Sequence, residues 1–326
     1  MIPTALIDVV LPVFTFIAIG YALVKVGLLP GKIGDALGDF VFTVAIPALL
    51  FRSVATLSWP DVSPWPFWGA YFSAIAVVLV AGMVITQKLF GRERRAGVIG
   101  GMSTAYANLV VIGIALVRQA YGEAALTTLF MLIAIHLPVM MTVSAILIEF
   151  AEARDRKADG SDSNNGGLPK ALRRVLISLV KNPLIIAVIL GSIVQLSGVT
   201  IDGFPRTILD RIAEPATTLA LISLGMALTQ YGVSGNIQPA IALGIVKLLV
   251  FPALVYVMAA WVFGLPPLAV SVLVLGAACP TGVNAYLIAN RFQTGKALSA
   301  NAITLTTAVS LLTITMWLAI LPVEPL

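Results

Sequence analysis

One cysteine and one histidine stand among 326 residues, and only 11% of the chain is charged. The lone Cys279 excludes an intrachain disulfide framework. With His136 as the single histidine, a Cys/His zinc cluster is excluded as well. A soluble domain carries roughly 25% charged residues. The deficit here excludes a soluble enzyme, a disordered chain and a nucleic-acid binder. The excess of five positive charges, 20 Lys and Arg over 15 Asp and Glu, is therefore no nucleic-acid footprint. No nucleophile motif accompanies His136, so no catalytic constellation forms, and no Walker-type phosphate loop is present.

What the chain has instead is apolar length. Hydrophobic residues make up 59% of it, and the mean hydropathy is +1.02. Segments of about 20 apolar residues span a bilayer, and hydropathy places ten of them. They cover roughly 5–27, 33–55, 67–89, 96–119, 124–148, 175–197, 206–229, 238–262, 267–290 and 298–321. The first is read as a span because residues 1–12 carry Asp8 and no Lys or Arg, unlike the positive start of a signal peptide. Fifteen of the 20 Lys and Arg lie in or beside the odd-numbered loops, with Lys88, Arg92, Arg94 and Arg95 the densest group. That asymmetry predicts odd loops in the cytoplasm and both termini outside, in a multi-pass protein of the cell membrane.

The long loop 150–174 has a polar, glycine-rich centre, Asp159 to Gly167, with the composition of a flexible cytoplasmic linker. It divides the chain into halves, 1–149 and 175–326, of five spans each. The halves share spacings. Pro12, Gly20 and Gly27 recur 171 positions later as Pro183, Gly191 and Gly198. Phe90, Gly91 and Gly122 recur 173 positions later as Phe263, Gly264 and Gly295. Five is odd, so the second copy enters the membrane inverted, a recurrent arrangement in secondary transporters.

Spans four and nine carry helix breakers and an amide near their centres: Asn108 and Gly113 in one, Pro280, Thr281, Gly282 and Asn284 in the other. Interrupted helices free backbone groups that protein, water or ligand must satisfy. Two facing half-helix N-termini favour an anion, and Asn108, Thr281 and Asn284 would add neutral donors. The alternative for the asparagines is interhelical hydrogen bonding, and for the Gly97/Gly101 pattern close helix packing. Lys247 lies mid-span, where a charge costs about 2.5–3.5 kcal/mol. It is either an attractant for an anionic substrate or a tether to backbone carbonyls. His136, beside Pro138, is a candidate proton relay or a hydrogen-bonded helix contact. Asp39 is the one span-two carboxylate deep enough for an ion or proton site, with Asp35 and Glu149 interfacial. Ser103 and Thr104, with Asn108 and Asn284, are candidate oxygen ligands for sodium. Cys279 is read as a small packing residue. No metal cofactor is expected; coupling to Na+ or H+ is the open alternative.

Several segments resemble the auxin efflux carrier family, which includes bacterial malonate and malate permeases and plant auxin exporters. The likeness runs through Phe40 to Phe51 with its Pro47, Asn108 to Gly113, and Asn182-Pro183 followed by Gly191. It continues through Leu224 to Leu228, Lys247 ahead of Pro252, and Pro280 to Ala289. The resemblance implies a fold related to bile-acid/sodium symporters: all-α, ten transmembrane helices in two inverted five-helix repeats, with helices four and nine broken and crossing. It implies a mobile transport domain of spans 3–5 and 8–10. Spans 1, 2, 6 and 7 would form a scaffold that can pair as a homodimer. Asn108 would bind a substrate carboxylate, with Pro280 and Thr281 opposite. Ala107 and Ala115 stand where plant relatives often have proline, and loop 150–174 is short, which favours the bacterial organic-acid branch. The function expected is elevator-type transport of small mono- or dicarboxylates. The rivals are a sodium- or proton-coupled symporter of the bile-acid type, and an anion-binding receptor or channel.

Overall fold

The computed structural model describes residues 5–56, 62–158, 167–231 and 235–321. Without water to hydrogen-bond the backbone, a spanning segment satisfies itself as a helix. Among the described residues the regular elements are all helices, joined by short turns, apart from one isolated bridge. Seven helices are long and apolar enough to cross a membrane: α1 (Ile7–Lys25), α2 (Gly31–Ala55), α3 (Pro64–Leu89), α5 (Leu109–Asp155), α8 (Gly203–Tyr231), α9 (Gln238–Val262) and α12 (Lys296–Ile320). Shorter helices fill the remainder: α4 (Arg94–Ala105), α6 (Gly167–Val180), α7 (Pro183–Ser197), α10 (Pro267–Ala278) and α11 (Asn284–Arg291). The chain is thus a multi-pass helical membrane protein.

The expected spans four, five, six and nine are the ones that differ. Span four is α4 plus the start of α5, and span nine is α10 plus α11. The 47 residues of α5 would reach about 70 Å if straight, more than twice a hydrocarbon core. Gly122, at φ 77° and ψ −177°, breaks them into two arms with a conformation reserved for glycine. Helix α7 begins eight residues later than hydropathy places span six. Asn182 caps it by accepting from the Leu184 amide at 2.9 Å, and Pro183 follows at the first helical position. The centre of the expected linker, 159–166, lies outside the described residues; the chain is helical up to Ala158 and again from Gly167.

Small residues let the helices approach. Helices α1 and α8 touch through a reciprocal pair: a side chain on Gly20 would collide with the Ile222 carbonyl, and one on Gly225 with the Ile17 carbonyl. Gly191 of α7 meets the Phe51 carbonyl of α2, and Gly82 of α3 meets Gly100 and Gly101 of α4. Polar ties reinforce two packed groups. Ser223 donates to the Gly34 carbonyl at 3.2 Å, and Arg52 pairs with Asp210 at 3.2 Å, joining α2 to α8. Elsewhere Trp68 donates to the Met131 carbonyl, and Trp317 to the Leu248 carbonyl.

Candidate functional site

The two interruptions lie face to face. After α4 the chain extends through Tyr106, Ala107 and Asn108; after α10 it extends through Cys279, Pro280 and Thr281. The Asn108 amide donates to the Pro280 carbonyl at 3.0 Å, and the Gly282 amide donates to the Tyr106 carbonyl at 2.9 Å. This reciprocal pair makes Ala107 and Thr281 an antiparallel bridge. Each break thereby satisfies backbone groups the other has freed, which would otherwise cost several kcal/mol each in lipid. Gly282 permits the approach: even a Cβ there would stand 3.2 Å from the Ala107 carbonyl oxygen.

The C-terminal ends of the half-helices are capped from within. Thr281 donates its hydroxyl to the Ser103 carbonyl of α4 at 2.8 Å, and its amide donates to the Thr306 hydroxyl of α12 at 3.0 Å. Lys247, fully buried, donates to the Ala277 carbonyl of α10 at 2.7 Å and lies 4.6 Å over the Phe251 ring. A cation at a helix C-terminus meets the negative end of its dipole. Of the two readings left open by the sequence, this contact is that of the tether to a backbone carbonyl.

The N-terminal ends face a cavity of about 450 Å³. Three helix starts line it: Asn108 to Val110 at α5, Asn182 to Ile185 at α7, and Gly282 to Asn284 at α11. The first-turn N–H groups of a helix have no partner within it, and each N-terminus carries about half a positive charge. The polar side chains on the wall are Thr43, Tyr106, Asn108, His136, Asn182 and Asn284, and the remainder is apolar. Among the described residues, no charged side chain lines the cavity. Asn108 is buried, and its side-chain NH2 has no hydrogen-bond partner. An amide donor left open beside two helix starts is complementary to a carboxylate.

The other residues singled out in the sequence fall elsewhere. Gly113 is buried against the second interruption, where a Cβ would come within 3.6 Å of the Cys279 sulfur. Pro280 and Thr281 form the junction but not the cavity wall. The hydroxyls of Ser103 and Thr104 are turned to backbone carbonyls, Ile99 for one, Val78 and Gly101 for the other. Neither residue lines the cavity. Asp39 is exposed on α2 and is not on the cavity wall. Thr43, Tyr106 and Asn182 are cavity residues that composition and spacing did not mark as such. The one signal was Asn182-Pro183, a cap followed by proline that announces a helix start.

A family model described as "Membrane transport protein" matches residues 5–318 of the chain. A protein of Rhizobium meliloti (strain 1021) named "Putative malonate transporter" is 22% identical over 320 residues, covering 94% of this chain and 92% of its own length.

Proposed function

The chain belongs to the membrane transport protein family, the auxin efflux carriers its sequence resembles, and we propose that it carries small organic anions across the bilayer by alternating access. It is a transporter and not an enzyme; the substrate class, the mechanism and the site are the proposal. The observation that carries it is the open Asn108 amide beside three converging helix starts in an uncharged cavity. The malonate named for the Rhizobium meliloti relative is the substrate to try first.

On this reading Asn108, Gly282 and Asn284 meet the carboxylate, and Gly113, Pro280 and Thr281 shape the junction that presents them. Lys247 supports it by holding the end of α10. The ten spans form two inverted repeats. Support comes from the recurrent backbone turns: Gly27 and Gly198, Gly91 and Gly264, and Gly122 and Gly295 all have positive φ, between 59° and 79°. The scaffold is α1, α2, α7 and α8, joined by the glycine crossings, and is the surface through which two copies would pair. The transport domain is α3–α5 with α9–α12, and it slides as an elevator. Both termini lie outside the cell membrane, in keeping with the distribution of Lys and Arg.

Counterflow in proteoliposomes tests this directly. Vesicles preloaded with malonate are expected to take up labelled malonate saturably. An anion receptor gives no flux, and a channel gives flux without saturable exchange. Either result contradicts a carrier.

A further inference from the structure

His136 has no role in the anion site as described, yet its setting is unusual. It is 4% exposed, and both ring nitrogens lack a hydrogen-bond partner, although each is a donor or an acceptor. It faces the same cavity as Asn108 and Asn284. Tyr106 and Tyr71 stand edge-on to it, with ring centres 5.1 and 5.7 Å away, and Phe72 stacks at 6.4 Å. The Tyr71 hydroxyl also lacks a partner, and that of Tyr106 has the Asn284 side chain near it. Buried polar groups are seldom left open. An imidazole open at both nitrogens, with an open tyrosine hydroxyl next to it and a cavity beside it, marks a place where something charged or hydrogen-bonding arrives.

We propose that His136 is the proton-binding group of the carrier, taking up a proton when an anion occupies the cavity so that both cross together. This rests on the transport reading above. A buried imidazolium needs a counter-charge. The titratable groups around it are Tyr71 on α3, Tyr106 after α4, and Cys279 within electrostatic reach of Tyr71. Lys247 of α9, over the Phe251 ring, lies within electrostatic reach of His136 itself, so a second positive charge there makes a negative partner the more necessary. The faces of α2, α7 and α11 offer the neutral Thr43, Asn182 and Asn284. Among the described residues, none of these brings a negative charge, so the counter-charge is the substrate itself. Proton and anion then stabilise each other, and linkage makes that help reciprocal.

The test measures protons moved per anion in proteoliposomes of the full chain, with labelled malonate outside and a pH-sensitive dye inside. Wild-type protein is expected to acidify the lumen in step with malonate uptake and to accumulate malonate when the outside is acidic. H136Q is expected to lose the acidification per anion at whatever rate of uptake remains; H136N serves if H136Q does not insert. Wild-type uptake without acidification overturns the proposal. An unchanged proton-to-anion ratio in the variant overturns it too, because the proton then travels on the malonate. Failure of the transport reading looks different: wild-type vesicles show no counterflow of malonate, malate, pyruvate or indole-acetate, and the proposal falls with it.

Discussion

The two interruptions have the same backbone and opposite side-chain economies. At the second, the amide and the hydroxyl of Thr281 are both engaged inside the protein, the one with Thr306, the other with Ser103. At the first, Asn108 spends its backbone on the junction and leaves its side-chain NH2 open to the cavity. Thr281 is pinned, whereas the Asn108 side chain keeps an open donor beside the cavity. A similar division holds within each broken helix, where Thr281 and Lys247 satisfy the carbonyl ends while the amide ends meet the cavity. On the proposed reading, amide ends on a wall without a charged side chain favour an anion that must also be released.

Substitutions at the two breaks should therefore separate binding from stability. Asn108→Ala is expected to weaken malonate binding roughly 10- to 100-fold, since a hydrogen bond to a charged acceptor is worth about 1.5–3 kcal/mol. Its melting temperature without ligand should hold, because the side-chain NH2 removed has no partner to lose. Titration calorimetry and a thermal melt check both halves of that statement. Thr281→Val should do the reverse. It costs stability by about 1–2 kcal/mol, the value of an interhelical hydrogen bond in lipid, and changes affinity less than Asn108→Ala. Thr306→Val removes the acceptor for the Thr281 amide and should cost somewhat less, about 1 kcal/mol, because a backbone amide can shift to another oxygen. A cycle combining the last two should be non-additive, as they share one node. Smallest of all is Asp39→Asn, for which sodium dependence and uptake should match wild type; a change in either would place α2's exposed face in the transport cycle.

Much of this was legible in sequence, and the reason is physical. Proline, glycine and asparagine in the middle of apolar runs have no cheap place in a lipid-embedded helix, so span four and span nine announced themselves at Asn108 and Pro280. That Thr281 is engaged while Asn108 stays open was not legible, because the partners of Thr281 come from positions 178 and 25 residues away. Depth was readable for Asp39, but the face it presents was not. Gly34 and Gly38 turn toward Met226 and Ser223 of α8, and Asp39 is left exposed. Lys247 was equally ambiguous, since only folding brings the Ala277 carbonyl to it. Helix α7 shows the limit of hydropathy: Val175 to Val180 is apolar enough to extend the span, but the turn at Lys181 and the Asn182 cap end that helix and begin another.

The measurement closest to the core of this account is ligand-induced thermal stabilisation of purified wild type and Asn108→Ala across a malonate series. Stabilisation by a bound ligand rises with the logarithm of its concentration over Kd. Wild type should show that rise, and Asn108→Ala, melting at the same temperature without ligand, should show it only at concentrations roughly 10- to 100-fold higher. Superimposable curves for the two proteins would contradict an anion held at the first interruption.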